Sequence, residues 1–77
     1  MDYKQLLTDI ARGIVDTPDA VQVVETVEEN DVKLVLTVAP DDTGMVIGRH
    51  GKIAKAIRSV MKVAGNKEGK YITVEIE

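Results

Sequence analysis

The sequence predicts an α+β fold with elements in the order αββααβ, the helices packed on one face of a small three-stranded mixed sheet. Three observations predict it. Apolar residues recur at helical spacing near the start and again after residue 51. Two β-branched runs lie between those segments, and a third alternating run closes the chain.

Asp2 is placed to cap a first helix, with Gln5 at the third helical position as in a capping box. Leu6, Leu7, Ile10, Ala11, Ile14 and Val15 form its apolar stripe, and Thr17-Pro18 is expected to end it. Val21 to Glu28 reads as a strand, Glu29-Asn30-Asp31 as a turn, and Val32, Leu34, Leu36 and Val38 as the inward positions of a second strand. The two strands should form an antiparallel hairpin. Pro40-Asp41-Asp42-Thr43 looks like a helix start, with Asp41 and Asp42 as caps, and only a short helix fits before Gly48. A longer helix follows Gly51 and runs to about Ala64, with Gly65-Asn66 as its stop. Ile72, Val74 and Ile76 alternate in a last strand.

Composition narrows the function. At 77 residues the chain is expected to be one domain, residues 1–77, near the lower size limit for an unassisted core. There is no cysteine and one histidine, His50, so neither a disulfide nor a zinc cluster is expected, and no metal or cofactor is implied. No stretch approaches the roughly 20 apolar residues that span a membrane. The start, Met1-Asp2-Tyr3-Lys4-Gln5, lacks the pattern of a signal peptide, so a cytoplasmic protein is the simplest reading. Ser59 is the only serine and has no histidine at helical spacing beside it. No nucleophile, base and orienting group can be assembled, and an enzyme is not expected.

The net charge of −3 is unevenly spread. Residues 1–43 hold ten acids and three bases; residues 44–77 hold seven bases and three acids. A locally basic face matters more to a ligand than the total does, although the acidic half could equally serve solubility alone. The long helix sharpens the point. Ile53, Ile57, Val60 and Ala64 cluster in a narrow arc, flanked by Ala54 and Met61 on one side and Ala56 and Val63 on the other. This arc spans about half the cylinder, wider than the roughly 100° one core needs. Lys52, Lys55, Arg58, Ser59 and Lys62 fill the opposite face, with no acid on the helix to pair with them.

The most informative stretch is Gly44-Met45-Val46-Ile47-Gly48-Arg49-His50-Gly51-Lys52-Ile53. Glycines allow a sharp turn and a close approach to a ligand. A helix starting beside them presents unpaired N–H groups and the positive end of its dipole. Arg49 and His50 add donors where a phosphate would lie. The Walker pattern fails, because Val46 stands where its first glycine should be and Ile53 follows Lys52 where a hydroxyl is needed. The dinucleotide glycine pattern fails as well. What remains is Gly-x-x-Gly between two helices.

In the context Val46-Ile47-Gly48-Arg49-His50-Gly51-Lys52-Ile53, with a strand ahead and helix-loop-strand behind, this resembles the KH domain of RNA-binding proteins. The αββααβ order looks like the type II KH fold, and the size resembles the KhpA family of small bacterial KH proteins. The resemblance covers the whole chain. It implies that the loop clamps the backbone of about four single-stranded nucleotides. Their bases would lie between the two central helices and the last strand with its preceding loop. Carried over position by position, Gly48 and Gly51 would allow close approach, and Arg49, His50 and Lys52 would meet phosphates or sugars; Lys55, on the acid-free basic face near the loop, is a further RNA-binding candidate. Val46, Ile47, Ile53, Ala54 and Ile57 are candidates for an apolar floor, the core reading being the stronger for Ile57. With no Phe or Trp, the chain cannot stack bases on several aromatics, which suits an aliphatic groove.

The family also implies self-association as a homodimer and pairing with the larger KH-containing protein KhpB (also called Jag or EloR). That pair would act in post-transcriptional control linked to cell elongation and division, as an RNA chaperone. The over-wide apolar arc, with Met61 and Val63 at its edges, is a candidate surface for such pairing. Two rivals stand beside RNA binding. One is a protein-interaction module that keeps the fold, favoured by net acidity. The other is a nucleotide- or anion-binding subunit of an enzyme.

Overall fold

In the computed structural model, which describes residues 1–77, Asp2 starts the first helix, α1 (Tyr3–Ile14), by accepting the Gln5 N–H at 3.0 Å. Only half of the capping box forms, because the Gln5 amide turns forward to Asp9 at 2.8 Å. Tyr3, Leu7 and Ala11, four residues apart, are the buried line of α1. The helix ends before Thr17-Pro18: Val15 leaves helical geometry while its N–H still bonds Ala11. Pro18 instead opens a separate 3-10 turn, Pro18–Ala20.

Strand β1 (Gln22–Glu28) begins one residue later than the sequence suggests and pairs antiparallel with β2 (Asp31–Thr37) through the two-residue turn Glu29-Asn30. The expected inward positions Val32, Leu34, Leu36 and Val38 are all buried. Strand β3 (Tyr71–Ile76) lies parallel to β2, with Val32 beside Ile72, Leu34 beside Val74 and Leu36 beside Ile76. The sheet order is β1-β2-β3, so β2 is central and both neighbours are edges. A parallel pair needs a long crossover. Here it is a short helix, α2 (Thr43–Ile47), and a long one, α3 (Lys52–Asn66). All helices cover one face of the sheet. Leu7, Leu34, Leu36, Val46 and Met61 are fully buried between the layers, each such side chain contributing about 1.5–3 kcal/mol. The outer face is left to solvent and carries the Lys33–Glu75 ion pair at 3.3 Å.

Two residues, Gly65 and Asp42, act differently from their sequence reading, and Tyr3 has a role that the sequence does not announce. Gly65 does not stop α3; it lies buried inside it, and a Cβ there would come within 2.9 Å of the Lys70 carbonyl and strike Ile72. The missing side chain lets α3 sit directly on the start of β3. The turn glycine is Gly69, at φ 71°. Asp42 precedes α2 but caps nothing with its side chain. Its buried carboxylate accepts the Thr17 N–H at 3.0 Å and so ties the α1–β1 connection to the start of α2. Tyr3 is in the core, yet its hydroxyl donates to Glu68 in the loop before β3. That bond, with burial and the Glu68 charge, pushes Tyr3 up to about 12. The same bond first, and the Met1 amino group at 3.1 Å second, hold the Glu68 carboxyl below the usual carboxylate range. The whole is an αββααβ arrangement of helices on one face of a mixed three-stranded sheet, the type II KH fold that the element order predicts.

Candidate nucleic-acid interface

The bend between α2 and α3 is built from three residues with positive φ. Gly48 closes α2 at φ 74° and ψ 172°, its N–H bonded to Gly44 at 2.8 Å. His50 follows at φ 56°, ψ 25°, and Gly51 at φ 74°, ψ 14°, with the Gly51 N–H returning to Gly48 at 3.1 Å. The two glycines are needed for different reasons. A Cβ on Gly48 would approach the Ile53 backbone nitrogen to 2.9 Å, so both conformation and space demand glycine. A Cβ on Gly51 would meet nothing within 4 Å, so conformation alone demands it, and the surface there stays open. No side chain caps α3. None of the loop's backbone hydrogen bonds uses the N–H of Arg49 or His50.

The basic residues of this region have no acidic partners. The chain's two ion pairs join Met1 to Glu68 and Lys33 to Glu75. Arg49, His50, Lys52 and Lys55 are exposed, and no side-chain hydrogen bond holds them. Lys55, Arg58 and Lys62 stand three and four residues apart, so they form one row along α3. Arg58 fixes which way that row faces: its Nε donates to the Val74 carbonyl at 3.2 Å, so the row borders the free edge of β3. Sequence reading placed Arg58 on the basic face but gave no signal of this bond, because nothing local links residues 58 and 74.

The apolar candidates divide. Ile47 and Ile53 are 40 % and 38 % exposed and border the bend. Val46, Ala54 and Ile57 are buried core residues. Val46 and Ala54, read from the sequence as groove floor, are 0 % and 4 % exposed, so they offer a ligand little surface in this structure. The wide apolar arc of α3 is also resolved. Its Ala54–Met61 flank packs inward, and Met61 is fully buried rather than at the rim. Ile53, Ala56, Val60 and Val63 are exposed along the other flank. Ile53, Ala56, Ile57 and Val60 meet Ile10 and Ile14 of α1 in a wholly apolar cleft of about 330 Å³. Ile10 and Ile14 were seen in the sequence only as part of a core stripe.

A KH-type bend between two helices, a cationic row and the free edge of a mixed sheet together define a small domain of the KH class. Comparison with known proteins agrees: the profile described as "KhpA/KhpB, KH domain" matches residues 4–76, and the chain belongs to that family. The chain is 56 % identical over 73 residues to the RNA-binding protein KhpA of Clostridium acetobutylicum, covering 95 % of this chain and 97 % of the relative. It is 49 % identical over 73 residues, with the same coverage, to the RNA-binding protein KhpA of Clostridium perfringens. It is also 47 % identical over 72 residues to that of Caldanaerobacter subterraneus subsp. tengcongensis, covering 94 % and 96 %. No solved structure matches the chain. No helix is long and apolar enough to cross a membrane.

Proposed function

We propose that the chain is a single KH domain that binds single-stranded RNA without catalysis. The Gly48–Lys52 bend and Lys55 would grip the sugar-phosphate backbone. The observation that carries this reading is the conjunction of an uncapped helix start, a left-handed bend and exposed cations with no acid to neutralise them. Relatives named as RNA-binding proteins at 47–56 % identity support it. Gly48 and Gly51 give close approach; Arg49, His50, Lys52 and Lys55 contact phosphate or sugar; Ile47 and Ile53 give apolar contact beside the bend. Two to four phosphate contacts correspond to affinity on the order of micromolar and a salt slope of about −0.7 per contact.

One such module gains from avidity. In this proposal the apolar cleft between α1 and α3 carries self-association or pairing with a KhpB-type (Jag, EloR) protein. The pair acts in the cytoplasm as an RNA chaperone in post-transcriptional control linked to cell shape and cell wall biogenesis. The test of RNA binding is the double change Arg49→Asp with His50→Asp. Anisotropy with short oligoribonucleotides should show affinity falling more than tenfold, while the circular dichroism spectrum stays the same. Unchanged affinity would show that the bend is not the site.

The second reading, a protein-interaction module with little RNA binding of its own, is favoured by the same cleft and by the net charge of −3. It predicts no binding to oligoribonucleotides by the wild-type chain at up to millimolar concentration, alongside measurable self-association.

A further inference from the structure

Arg58 is the one basic side chain of α3 that the fold holds in place. Its Nε donates to the Val74 carbonyl at 3.2 Å, whereas Lys52, Lys55 and Lys62 make no hydrogen bond or ion pair. The position of that carbonyl matters. In a strand the N–H and C=O of one residue point to the same side, and the side alternates along the chain. The Tyr71 N–H bonds Asn30 and the Glu77 N–H bonds Leu36, so the odd-numbered residues of β3 face β2. Ile72, Val74 and Ile76 therefore turn their backbone groups to the free edge. Arg58 reaches across from the cationic row to that edge.

With Nε committed, the plane of the guanidinium is set, and Nη1 and Nη2 remain as side-by-side donors with no partner in the chain. A phosphate is served as well by the mobile lysines on either side. A fork held by backbone can discriminate, because it accepts only a pair of adjacent acceptors.

We infer that Arg58 is a base-reading residue: its two free Nη donors select guanine (O6 and N7) or cytosine (O2 and N3) from a single strand lying along α3. Adenine has no adjacent pair of acceptors, since the N6 amino donor neighbours N1 and N7 and N3 stands alone, and uracil places N3–H between its two carbonyls, so both mismatch the fork. Unpaired bases expose the edges this needs. The inference rests on the RNA-binding reading above, which itself does not require any base preference.

The test compares hexauridylate with the same oligomer carrying guanosine, cytidine or adenosine at one central position, against the wild-type chain, Arg58→Lys and Arg58→Gln. At fixed salt the wild type should bind the guanosine or cytidine oligomer about tenfold more tightly than the other two. Arg58→Lys should level that preference while keeping affinity for hexauridylate and the salt slope. Three outcomes overturn the inference alone: no preference in a wild type that binds through the bend, a preference that survives Arg58→Lys, or an equal loss on all oligomers in Arg58→Gln with a salt slope smaller by about 0.7, which marks a phosphate contact. If the wild type binds none of the oligomers, the RNA-binding reading falls, and this inference falls with it.

Discussion

On one flank of α3, Lys55, Arg58 and Lys62 run beside the free edge of β3; on the other, Ile53, Ala56 and Val60 run beside α1, with Val63 exposed further along. Neither flank is satisfied within the chain. The cations have no acids, and Val60 and Val63 are 50 % and 59 % exposed. Between them lies the inner face, Ala54, Ile57, Met61 and Ala64, which is fully committed to the core. The difference teaches that one helix divides its work by direction. The inner face holds the fold, while the two flanks carry chemistry that the fold does not consume. An exposed apolar row costs solubility, and a row of like charges costs repulsion, so both have the character of surfaces meant for something outside the chain. Changes on the inner face should therefore act on stability, and changes on the flanks on binding.

The largest effect should come from Met61→Ala. Emptying a fully buried site should cost about 2–5 kcal/mol and lower Tm by roughly 10 °C or more, read by thermal denaturation. A fall of only a degree or two would mean that the inner face is not the stabilising one. The bend comes next. Gly48→Ala combines a forced positive φ with a clash on Ile53 and should cost roughly 2–4 kcal/mol, whereas Gly51→Ala carries the conformational part alone, about 1–2 kcal/mol. Chemical denaturation of both would break the distinction if the two costs were equal.

The flanks themselves are separated by two double changes. Lys55→Glu with Lys62→Glu should lower affinity for a short oligoribonucleotide about tenfold or more. Val60→Gln with Val63→Gln should leave that affinity alone and shift sedimentation towards the monomer. Each should change stability by no more than about 0.5 kcal/mol. Loss of RNA binding in the second variant would show that the apolar flank, not the cationic one, faces the nucleic acid.

The smallest effect concerns the clasp between α1 and the loop before β3. Glu68 titrates below its ordinary value of 4.5, so its contribution is complete above pH 4.5 and is lost as pH falls through the lower folded value. Tyr3 is raised from 10.0 to about 12, so its contribution is complete below pH 10 and is lost as pH rises through 12. Melting curves from pH 7 to pH 3 should show the wild type losing more stability than Tyr3→Phe. Parallel losses would show that the clasp adds nothing.

Much of this was legible in the sequence. The alternation of Val32, Leu34, Leu36 and Val38 gave the buried face of β2 correctly, because a period of two leaves no choice of face once one side is covered. The bend was readable because the glycines bracket a basic pair at a fixed spacing. The rotation of α3 was not. Periodicity measures how wide an apolar arc is, but the side that packs is set by where the sheet lies, which turned the core towards Ala54 and Met61 and left Val60 and Val63 outside. Gly65 misled because glycine near a helix end usually stops it; here a long-range contact with Ile72 required it inside. The Asp42–Thr17 and Arg58–Val74 bonds join residues 25 and 16 apart, and no local pattern announces them.

The central claim is that the bend and the cationic flank, not the apolar flank, receive a single-stranded polyanion. The direct measurement is a solution NMR titration of the full chain with a short oligoribonucleotide, following backbone amides. The expected result is that Gly48 to Lys52, Lys55 and the β3 edge at Ile72 and Val74 shift with added RNA, while Val60 and Val63 do not. If the amides of Gly48 to Lys52 stay fixed at saturating RNA, the account is contradicted.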